Sequence, residues 1–401
     1  MINKEFLQKQ LIESILPFWL AQQDKDHGGF YGKVTINLDC DPYAPKGGVM
    51  MSRFLWSFSH SYDGLQNKVY KKAADHAYSF LIDTLWDKEN GGIYWLVDSS
   101  GEPLNTIKHV CAQAFAIYGL SEYVKIVPSS EALHYAKKLY HLIEEKAYNS
   151  DTKGYEEEFD QTWHQKDLTQ VATENPGVHY TTNTLLHLLE AYTNLYTVWE
   201  NDHLLERIKH LLTLFTQHIY HSQGYCLQEF NQNWNSISPG VSYGHDIETS
   251  WLIDETLEKC QITGELADHV HEMTASLAFN CFKNGLDGVG WMNNHSDGKY
   301  QDKTKVWWVQ AEAVIGLFHA FQQSKDLRYR EASLTLVHLI QQRFIDERHG
   351  SEWYSRLDSE GNLLSVLRKN GTSEENISDA WKGPYHTVRF YLEMIRRLEE
   401  Q

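Results

Sequence analysis

Residues 91–101 read Gly-Gly-Ile-Tyr-Trp-Leu-Val-Asp-Ser-Ser-Gly, and this stretch shows the unit from which the chain is built. Two glycines open it, a strand-like run follows, and Asp-Ser-Ser-Gly is a turn signal. The pattern of glycine followed by aromatic or alternating residues occurs six times, anchored at Gly29, Gly92, Gly154, Gly224, Gly290 and Gly350. These glycines are separated by 63, 62, 70, 66 and 60 residues. A nearly fixed period indicates a fold of six repeats, each with a short β-hairpin.

Two helical patterns accompany each glycine segment. The helices that precede the glycines are amphipathic and are predicted over about 5–22, 68–85, 131–147, 203–219, 265–282 and 326–342. In 131–147, for example, Leu133, Ala136, Leu139 and Ile143 form one apolar stripe. The helices that follow the hairpins are apolar all round and are predicted over about 48–64, 108–125, 179–199, 243–260, 305–324 and 384–398.

Amphipathic helices alternating with apolar ones predict outer and inner helices. Six such pairs close into an all-α (α/α)6 barrel with short β-hairpins at one mouth. We expect this barrel to span residues 1–401 as a single catalytic domain. An open α-solenoid is the alternative, but it usually has shorter repeats. We find no Pro/Gly/Ser linker or charge block that would mark a domain boundary.

The composition excludes several classes of protein. A net charge of −18 argues against nucleic acid or an anionic membrane as a partner. The N-terminus carries no basic region before an apolar run, and no apolar stretch has the length of a membrane span. Five scattered cysteines without a CxxC pair favour a reducing compartment, so we expect a cytoplasmic protein. An aromatic content of 13% is compatible with a sugar-binding cleft as well as with helix packing.

Polar side chains in the first turns of the buried inner helices are predicted to meet at the mouth of the barrel. Burying a polar group costs free energy unless the group is paired, so the presence of polar residues on buried helices needs an explanation. The candidates, in chain order, are Arg53, Gln113, Asn183, His187, His245, Glu248, Trp251, Trp308, Glu312, Trp381 and His386. Pro384 suits the start of the last helix and places His386 in its first turn.

Histidine is suited to take and return a proton near neutral pH, because its ordinary pKa is about 6.5. Glycosidases instead need two carboxylates with separated pKa values. Here Glu248 and Glu312 each lie one helical turn from His245 or Trp308, which favours a role in orienting the histidine and the sugar. A metal held by His187, His245, Glu248 and His386 is a disfavoured alternative, because no helix carries two histidines at the i, i+4 spacing. No phosphate loop or dinucleotide motif is present, so no cofactor is expected.

Several segments resemble the cellobiose 2-epimerases of the N-acylglucosamine 2-epimerase superfamily. They are Tyr243-Gly244-His245-Asp246-Ile247-Glu248, Asn183-Thr184-Leu185-Leu186-His187, Trp307-Trp308-Val309-Gln310-Ala311-Glu312 and Trp381-Lys382-Gly383-Pro384-Tyr385-His386. The likeness extends from Phe18 to Arg389, almost the whole chain. The fold of that superfamily is an (α/α)6 barrel, in agreement with the repeat count.

The resemblance implies an epimerase that inverts carbon 2 of the reducing-end glucose of a β-1,4-linked disaccharide such as cellobiose. It implies His245 and His386 as the acid/base pair and His187 as the residue that assists ring opening. Arg53 would lie by the enediolate oxygen. The remaining implied sugar contacts are Asn183, Glu248 and Glu312, with Trp308 and Trp381 as stacking walls. No metal or organic cofactor is implied, and we expect a monomer.

One position departs from the resemblance: Cys111 stands where a tyrosine is expected. A smaller residue would alter the wall that faces the sugar, which bears on the disaccharide preference and not on the reaction. The near alternative is a mannose 2-epimerase or mannose isomerase that acts on free monosaccharides. More distant alternatives are an (α/α)6 glycoside hydrolase and a non-enzymatic helical scaffold.

Overall fold

Six helix pairs dominate the computed structural model, which describes residues 4–128, 130–165, 177–348, 352–364 and 376–399. The inner helices are α2 (Gly48–Leu65), α4 (Val110–Ile126), α6 (Thr182–Tyr196), α8 (Tyr243–Lys259), α10 (Trp307–Ser324) and α12 (Tyr385–Glu399). The outer helices without interruption are α5 (Ser130–Lys146) and α11 (Leu327–Arg343). All predicted helix ends lie within three residues of the observed ends. None of the described helices is both long and apolar enough to cross a membrane.

The other outer helices contain a five-residue π-helical turn, which the sequence pattern did not predict. In α1 the turn Leu11–Ile15 lies between Lys4–Gln10 and Leu16–Ala21. In the remaining three the turn ends the helix: α3 (Lys68–Phe80, then Leu81–Leu85), α7 (Asp202–Leu214, then Phe215–Ile219) and α9 (Glu265–Asn280, then Cys281–Gly285). The hydrophobic period is too coarse to distinguish these turns from α-helix.

Burial separates the two layers as the patterns predict. In the inner helix α4, 13 of the 17 residues are buried, whereas in the outer helix α5 only 5 of 17 are. The predicted stripe of α5 is confirmed at Ala136, Leu139 and Ile143, while Leu133 is only partly buried. The apolar area removed from water is therefore concentrated around the inner helices, which form the core.

The ring of inner helices is closed. Each inner helix packs against the next one in the chain, and α12 packs against both α10 and α2. An open solenoid would leave the first and last helices without this contact, so the closed (α/α)6 barrel is confirmed and the solenoid is excluded.

Short strands join neighbouring repeats at the end of the barrel where the inner helices begin. The strand before each inner helix pairs antiparallel with a strand of the next repeat: Lys46–Gly47 with Leu96–Val97, Lys108–His109 with Glu158–Phe159, Tyr180–Thr181 with Glu229–Phe230, Val241–Ser242 with His295–Ser296, and Lys305–Val306 with Arg356–Leu357. The strand Asn376–Ser378 pairs with Val34–Thr35 of the first repeat, so the strands close the ring as well.

The predicted local hairpins are present in three repeats, as Leu96–Val97 with Pro103–Asn105, Tyr220–His221 with Tyr225–Cys226, and His295–Ser296 with Gln301–Asp302. In the other repeats the glycine segment forms a single bridge back to the end of its outer helix, for example Gln23 with Phe30 and Tyr148 with Tyr155. Gly350, the sixth anchor glycine, lies outside the described residues.

A repeated buried ion pair fixes the glycine loops. In three repeats the aspartate after the outer helix accepts loop backbone N–H groups with one oxygen and binds a lysine of the following strand with the other. The lysine–aspartate distances are 2.7, 2.9 and 2.8 Å for Lys46–Asp24, Lys108–Asp87 and Lys305–Asp287. Gly91 and Gly92, with φ of 73° and 78°, adopt the left-handed conformation that the loop requires.

Candidate active site

A cavity of about 220 Å³ opens at the barrel end where the inner helices begin. Its walls come from five of the six inner helices and the loop before α12, because the strand pairs bring the first turns of these helices to one level. Eight of the eleven candidates predicted from the sequence line it: Arg53, Asn183, His187, His245, Glu248, Trp308, Trp381 and His386. Trp307 also lines the cavity and was not predicted.

His245 lies in the first turn of α8. Its Nδ1 is 2.9 Å from the hydroxyl of Ser242, and its ring centroid is 5.0 Å from that of Trp308. Burial lowers the pKa of His245 to about 4, and the nearby His187 adds to the effect. The imidazole is therefore neutral at neutral pH, the form in which it can accept a proton.

His386 occupies the first turn of α12 and contacts the same tryptophan. Its Nδ1 is 2.8 Å from Glu312 Oε1, and its ring centroid is 5.5 Å from that of Trp308. Burial lowers the pKa of His386 well below its ordinary value, and the positive charges of Arg389 and Arg53 lower it further. Two neutral imidazoles from separate helices thus contact one aromatic ring.

His187 completes the set of histidines in the cavity. Its Nδ1 is 3.0 Å from Glu190 Oε2, and its ring packs on Phe115 at a centroid distance of 4.6 Å. In all three histidines Nδ1 has a protein partner, which leaves Nε2 as the nitrogen available to a ligand.

A buried guanidinium, missed at the level of sequence, joins the carboxylates beneath the cavity. Arg389 is 2% exposed and lies three residues after His386, on the same face of α12. Its nitrogens are 2.7 Å from Glu190 and 2.7 Å from Glu312, and they also contact Glu248. The i, i+3 spacing from His386 places Arg389 on the same helix face and could have identified it from the sequence. The same spacing from His187 could have identified Glu190.

Glu312 and Trp251, both candidate sugar contacts from the sequence, are not among the residues that line the cavity. Glu312 is fully buried and bonds His386, while Trp251 donates its indole N–H to Glu312 Oε2 at 3.1 Å. Glu312 therefore contacts His386 directly, and Trp251 is connected to His386 through Glu312.

Gln113 was expected to contribute a polar side chain from α4 to the mouth of the barrel, but it binds a backbone segment instead. Its amide bonds the backbone N–H and C=O of Ile93 at 2.8 and 2.9 Å. Gln310, at the corresponding place in α10, binds Met292 in the same way. Both glutamines therefore fasten the glycine segment to the inner helix.

Arg53 supplies positive charge to the cavity. One of its Nη atoms donates to the carbonyl of Trp381 at 2.6 Å, and the guanidinium lies over the rings of Phe115 and Tyr385. Within the described ranges no carboxylate forms an ion pair with Arg53. A cation without a protein counter-charge is suited to an anion that develops in the cavity.

Cys111, at the departure from the expected tyrosine, is completely buried beside Asn183. The amide of Asn183 lies 3.7 Å from the sulfur, and burial raises the pKa of the thiol to about 12. The thiol is therefore protonated at neutral pH, and its role is a small wall behind Asn183.

One group of side chains has metal-ligand geometry among the residues that the structure describes. Ligand atoms of Glu248, Glu312 and His386 lie within 4.8 Å of one another. The guanidinium of Arg389 contacts both carboxylates and supplies the positive charge that they require. Burial, with repulsion from Glu312, nevertheless raises the pKa of Glu248 to about 7, although Arg389 lowers it.

The chain is similar over almost its whole length to known proteins. A model of the N-acylglucosamine 2-epimerase (GlcNAc 2-epimerase) family matches residues 19–374. A cellobiose 2-epimerase from Dictyoglomus turgidum is 38% identical over 398 residues, which cover 99% of both chains. The structure of cellobiose 2-epimerase from Bacillus thermoamylovorans B4167 has a TM-score of 0.93 at 38% identity, covering 98% of this chain and 99% of that one. A D-mannose isomerase from Marinomonas mediterranea is 26% identical over 420 residues, 99% of this chain and 98% of its own.

Proposed function

Because this chain belongs to the N-acylglucosamine 2-epimerase family and is a carbohydrate epimerase, we propose that His245 and His386 invert carbon 2 of an open-chain aldose. The observation that carries the proposal is the pair of neutral imidazoles, from α8 and α12, that both contact Trp308. Two bases on different helices are what an inversion needs, because the proton leaves one face of the carbon and returns to the other.

The reaction proceeds through an enediolate. The carbon beside an aldehyde is acidic enough for a positioned base to remove its proton. The electron pair of the broken C–H bond forms the double bond between carbons 1 and 2, and the π pair of the carbonyl group moves onto the aldehyde oxygen. The histidine that takes the proton enters the step neutral, and the other enters it as an imidazolium with an additional proton from solvent on Nε2. The imidazolium donates this proton to the opposite face of carbon 2 as the carbonyl group forms again, so the pair carries one additional proton before and after the inversion. The charge of Arg53 stabilises the anion at the oxygen.

The other residues serve binding and ring opening. His187 lies in the cavity with its Nδ1 held by Glu190, an arrangement that supports proton transfer among sugar oxygens. Asn183 and Glu248 bind hydroxyl groups, and Trp308 and Trp381 form the stacking walls. Trp381 is 40% exposed at the rim, which supports contact with the part of a substrate that extends out of the cavity. Glu312 and Trp251 position His386.

The substrate that we propose is a β-1,4-linked disaccharide such as cellobiose, with the reducing-end glucose converted to mannose. The support is the 38% identity with a cellobiose 2-epimerase over almost the full length, against 26% with a D-mannose isomerase. A proton delivered to the aldehyde carbon instead would give a ketose, so slow isomerisation is expected as a side reaction.

Product analysis in D2O tests this function. We expect NMR to show conversion of cellobiose, and of lactose, to the carbon-2 epimer with deuterium at carbon 2, and little conversion of free glucose or mannose. Preferred conversion of mannose would move the substrate to monosaccharides. Product without deuterium at carbon 2, at substantial conversion, would contradict the enediolate, because a direct hydride shift retains the original hydrogen.

We also propose that the protein is a cytoplasmic monomer. All five cysteines are free, which supports a reducing compartment. Size-exclusion chromatography with light scattering distinguishes the monomer from a dimer.

A further inference from the structure

Ser242 occupies the position before α8 where a serine normally caps the helix by accepting a backbone N–H. Here its side chain forms no capping bond. Its hydroxyl lies instead 2.9 Å from Nδ1 of His245. The neighbouring inner helix α6 shows the ordinary arrangement, since Thr181 accepts from the N–H of Thr184 at 3.1 Å.

The partner of His245 also differs from those of the other two histidines in the cavity. Glu190 holds Nδ1 of His187 and Glu312 holds Nδ1 of His386, so both of these histidines have a carboxylate partner. Ser242 is uncharged. A carboxylate stabilises the imidazolium that forms when a histidine takes up a proton, whereas a hydroxyl does so far less.

We propose that Ser242 is a positioning residue that accepts the Nδ1–H of His245 and so presents Nε2 to carbon 2 of the sugar. This inference rests on the proposed two-histidine reaction. The uncharged hydroxyl fixes the orientation of His245 without adding a negative charge beside its imidazole.

Other charged and titratable groups surround His245 from several helices. They are Arg53 of α2, His187 of α6, Glu248 of α8, Glu312 of α10, His386 and Arg389 of α12, and His295, which pairs with Ser242 in the neighbouring strand. Substitutions at Ser242 leave all of these in place, so a change in the pH profile of the variant reports the partner of His245.

Three substitutions at residue 242 separate the proposal from a structural role, because Ser, Thr and Asp are all favourable at a helix N-terminus. Ser242→Ala is expected to lower kcat about tenfold, a part of the roughly 10²–10⁴-fold that a positioned acid/base contributes. KM should change little, since Ser242 is not among the residues that line the cavity. Ser242→Thr retains the hydroxyl and should restore kcat to within about twofold.

Ser242→Asp gives His245 the kind of partner that His187 and His386 have. We expect the acidic limb of the pH profile of kcat/KM to move upward by about one unit, because a nearby carboxylate favours the imidazolium. An unchanged limb, an unchanged kcat in Ser242→Ala, or equal losses in the alanine and threonine variants would overturn the proposal. Asn201→Ala, which removes a true cap at Leu204 of α7, is the control: it should lower Tm without changing kcat.

NMR of protein labelled with ¹⁵N-histidine, without substrate, keeps this test independent of the reaction. The His245 signal, assigned with His245→Gln, should show one tautomer with Nδ1 protonated in the wild type and a mixture in Ser242→Ala. The same mixture in the wild type would refute the positioning role. If the wild type has the single tautomer but converts no sugar, the proposed function fails and the role of Ser242 in orienting His245 stands.

Discussion

At the scale of single residues, the chemistry depends on how three histidines are held. Each has its Nδ1 occupied by a neighbouring side chain, and each lines the same cavity. The partner comes from the same helix for His187, from the residue before the helix for His245, and from another helix for His386. The residue types were readable in the sequence, but their partners were readable only in part.

Removal of either base should abolish turnover. We expect His245→Ala and His386→Ala to lower kcat by at least about 10³-fold with unchanged circular dichroism, because each half of the inversion requires its own base. His338→Ala, on the exposed face of α11, is the control and should retain activity. Each inactive variant is then assayed with both epimers in D2O. Exchange of one epimer without inversion is expected where the remaining histidine faces the proton on carbon 2. Near-normal turnover in either folded variant would refute the assignment.

Metal ions should have no effect on the rate. The guanidinium of Arg389 contacts both Glu248 and Glu312 and lies 2.7 Å from Glu312. A metal cation at the same place would be repelled by this positive charge. We expect equal kcat before and after treatment with EDTA, measured on cellobiose. A loss of activity that one divalent ion restores would show that the carboxylates bind metal in the working enzyme.

Asp246, next to His245 in the chain, should make stability fall as pH rises. It is fully buried, accepts the N–H of Cys226 at 3.0 Å, and burial raises its pKa to about 8 from an ordinary 3.8. Between these values the folded protein holds a proton that the unfolded chain has released, so the free energy of unfolding decreases with increasing pH.

Thermal unfolding of Asp246→Asn at several pH values tests this expectation. The asparagine keeps the acceptor oxygen but does not titrate, so the decline in Tm from pH 5 to 8 should be shallower than in the wild type. The exposed variant Glu206→Gln should leave the wild-type slope unchanged. Parallel slopes for Asp246→Asn and the wild type would contradict the raised pKa.

At the scale of the elements, glycines allow the inner helices to approach closely. A Cβ added at Gly316 of α10 would lie 2.6 Å from Ile247 Cγ1 and 2.8 Å from the Ile247 carbonyl in α8. At Gly64, near the end of α2, the nearest atom would be Leu392 Cδ2 at 3.7 Å, an ordinary contact. The same residue type thus has two different reasons to occur in a helix.

Alanine substitutions should therefore have opposite effects at the two glycines. Gly316→Ala should lower the free energy of unfolding by about 1–3 kcal/mol, because overpacking exceeds the gain in helix propensity. Gly64→Ala should raise it by up to about 1 kcal/mol, since only the propensity term changes. Urea unfolding measures both, and equal stability of the two variants would show that α8 and α10 can separate without cost.

At the scale of the whole molecule, closure joins the two ends of the chain. Val34–Thr35 pairs with Asn376–Ser378, α12 packs on α2, and the indole of Trp19 donates to Glu352. These contacts span more than 300 residues and give every repeat two neighbours. They support the prediction that residues 1–401 form one domain.

A closed ring should unfold in a single cooperative step. We expect one calorimetric transition that coincides with the fluorescence and circular dichroism transitions, because no repeat is terminal. Trp19→Phe should shift this transition to lower temperature without dividing it. Two resolved transitions would indicate units that unfold separately, as in an open array of repeats.

The sequence alone determined the repeat, the twelve helices and most of the cavity. Helix period and glycine spacing are local properties of the chain, so they can be recognised without knowing which helices pack against each other. Because each glycine segment fixes where an inner helix begins, the polar residues of the first turns had to meet at one mouth. Arg53, His187, His245 and His386 were found in this way.

The tertiary structure alone decided which of these side chains touch. Arg389 binds Glu190, Glu248 and Glu312, which lie as many as 199 residues away in the chain. Gln113 binds a backbone segment and is not part of the cavity wall. Glu312 meets His386 only because α10 and α12 are neighbours in a closed ring. Spacing along one helix specifies a face, whereas the partner opposite that face depends on how the helices pack, and packing is a property of the whole barrel.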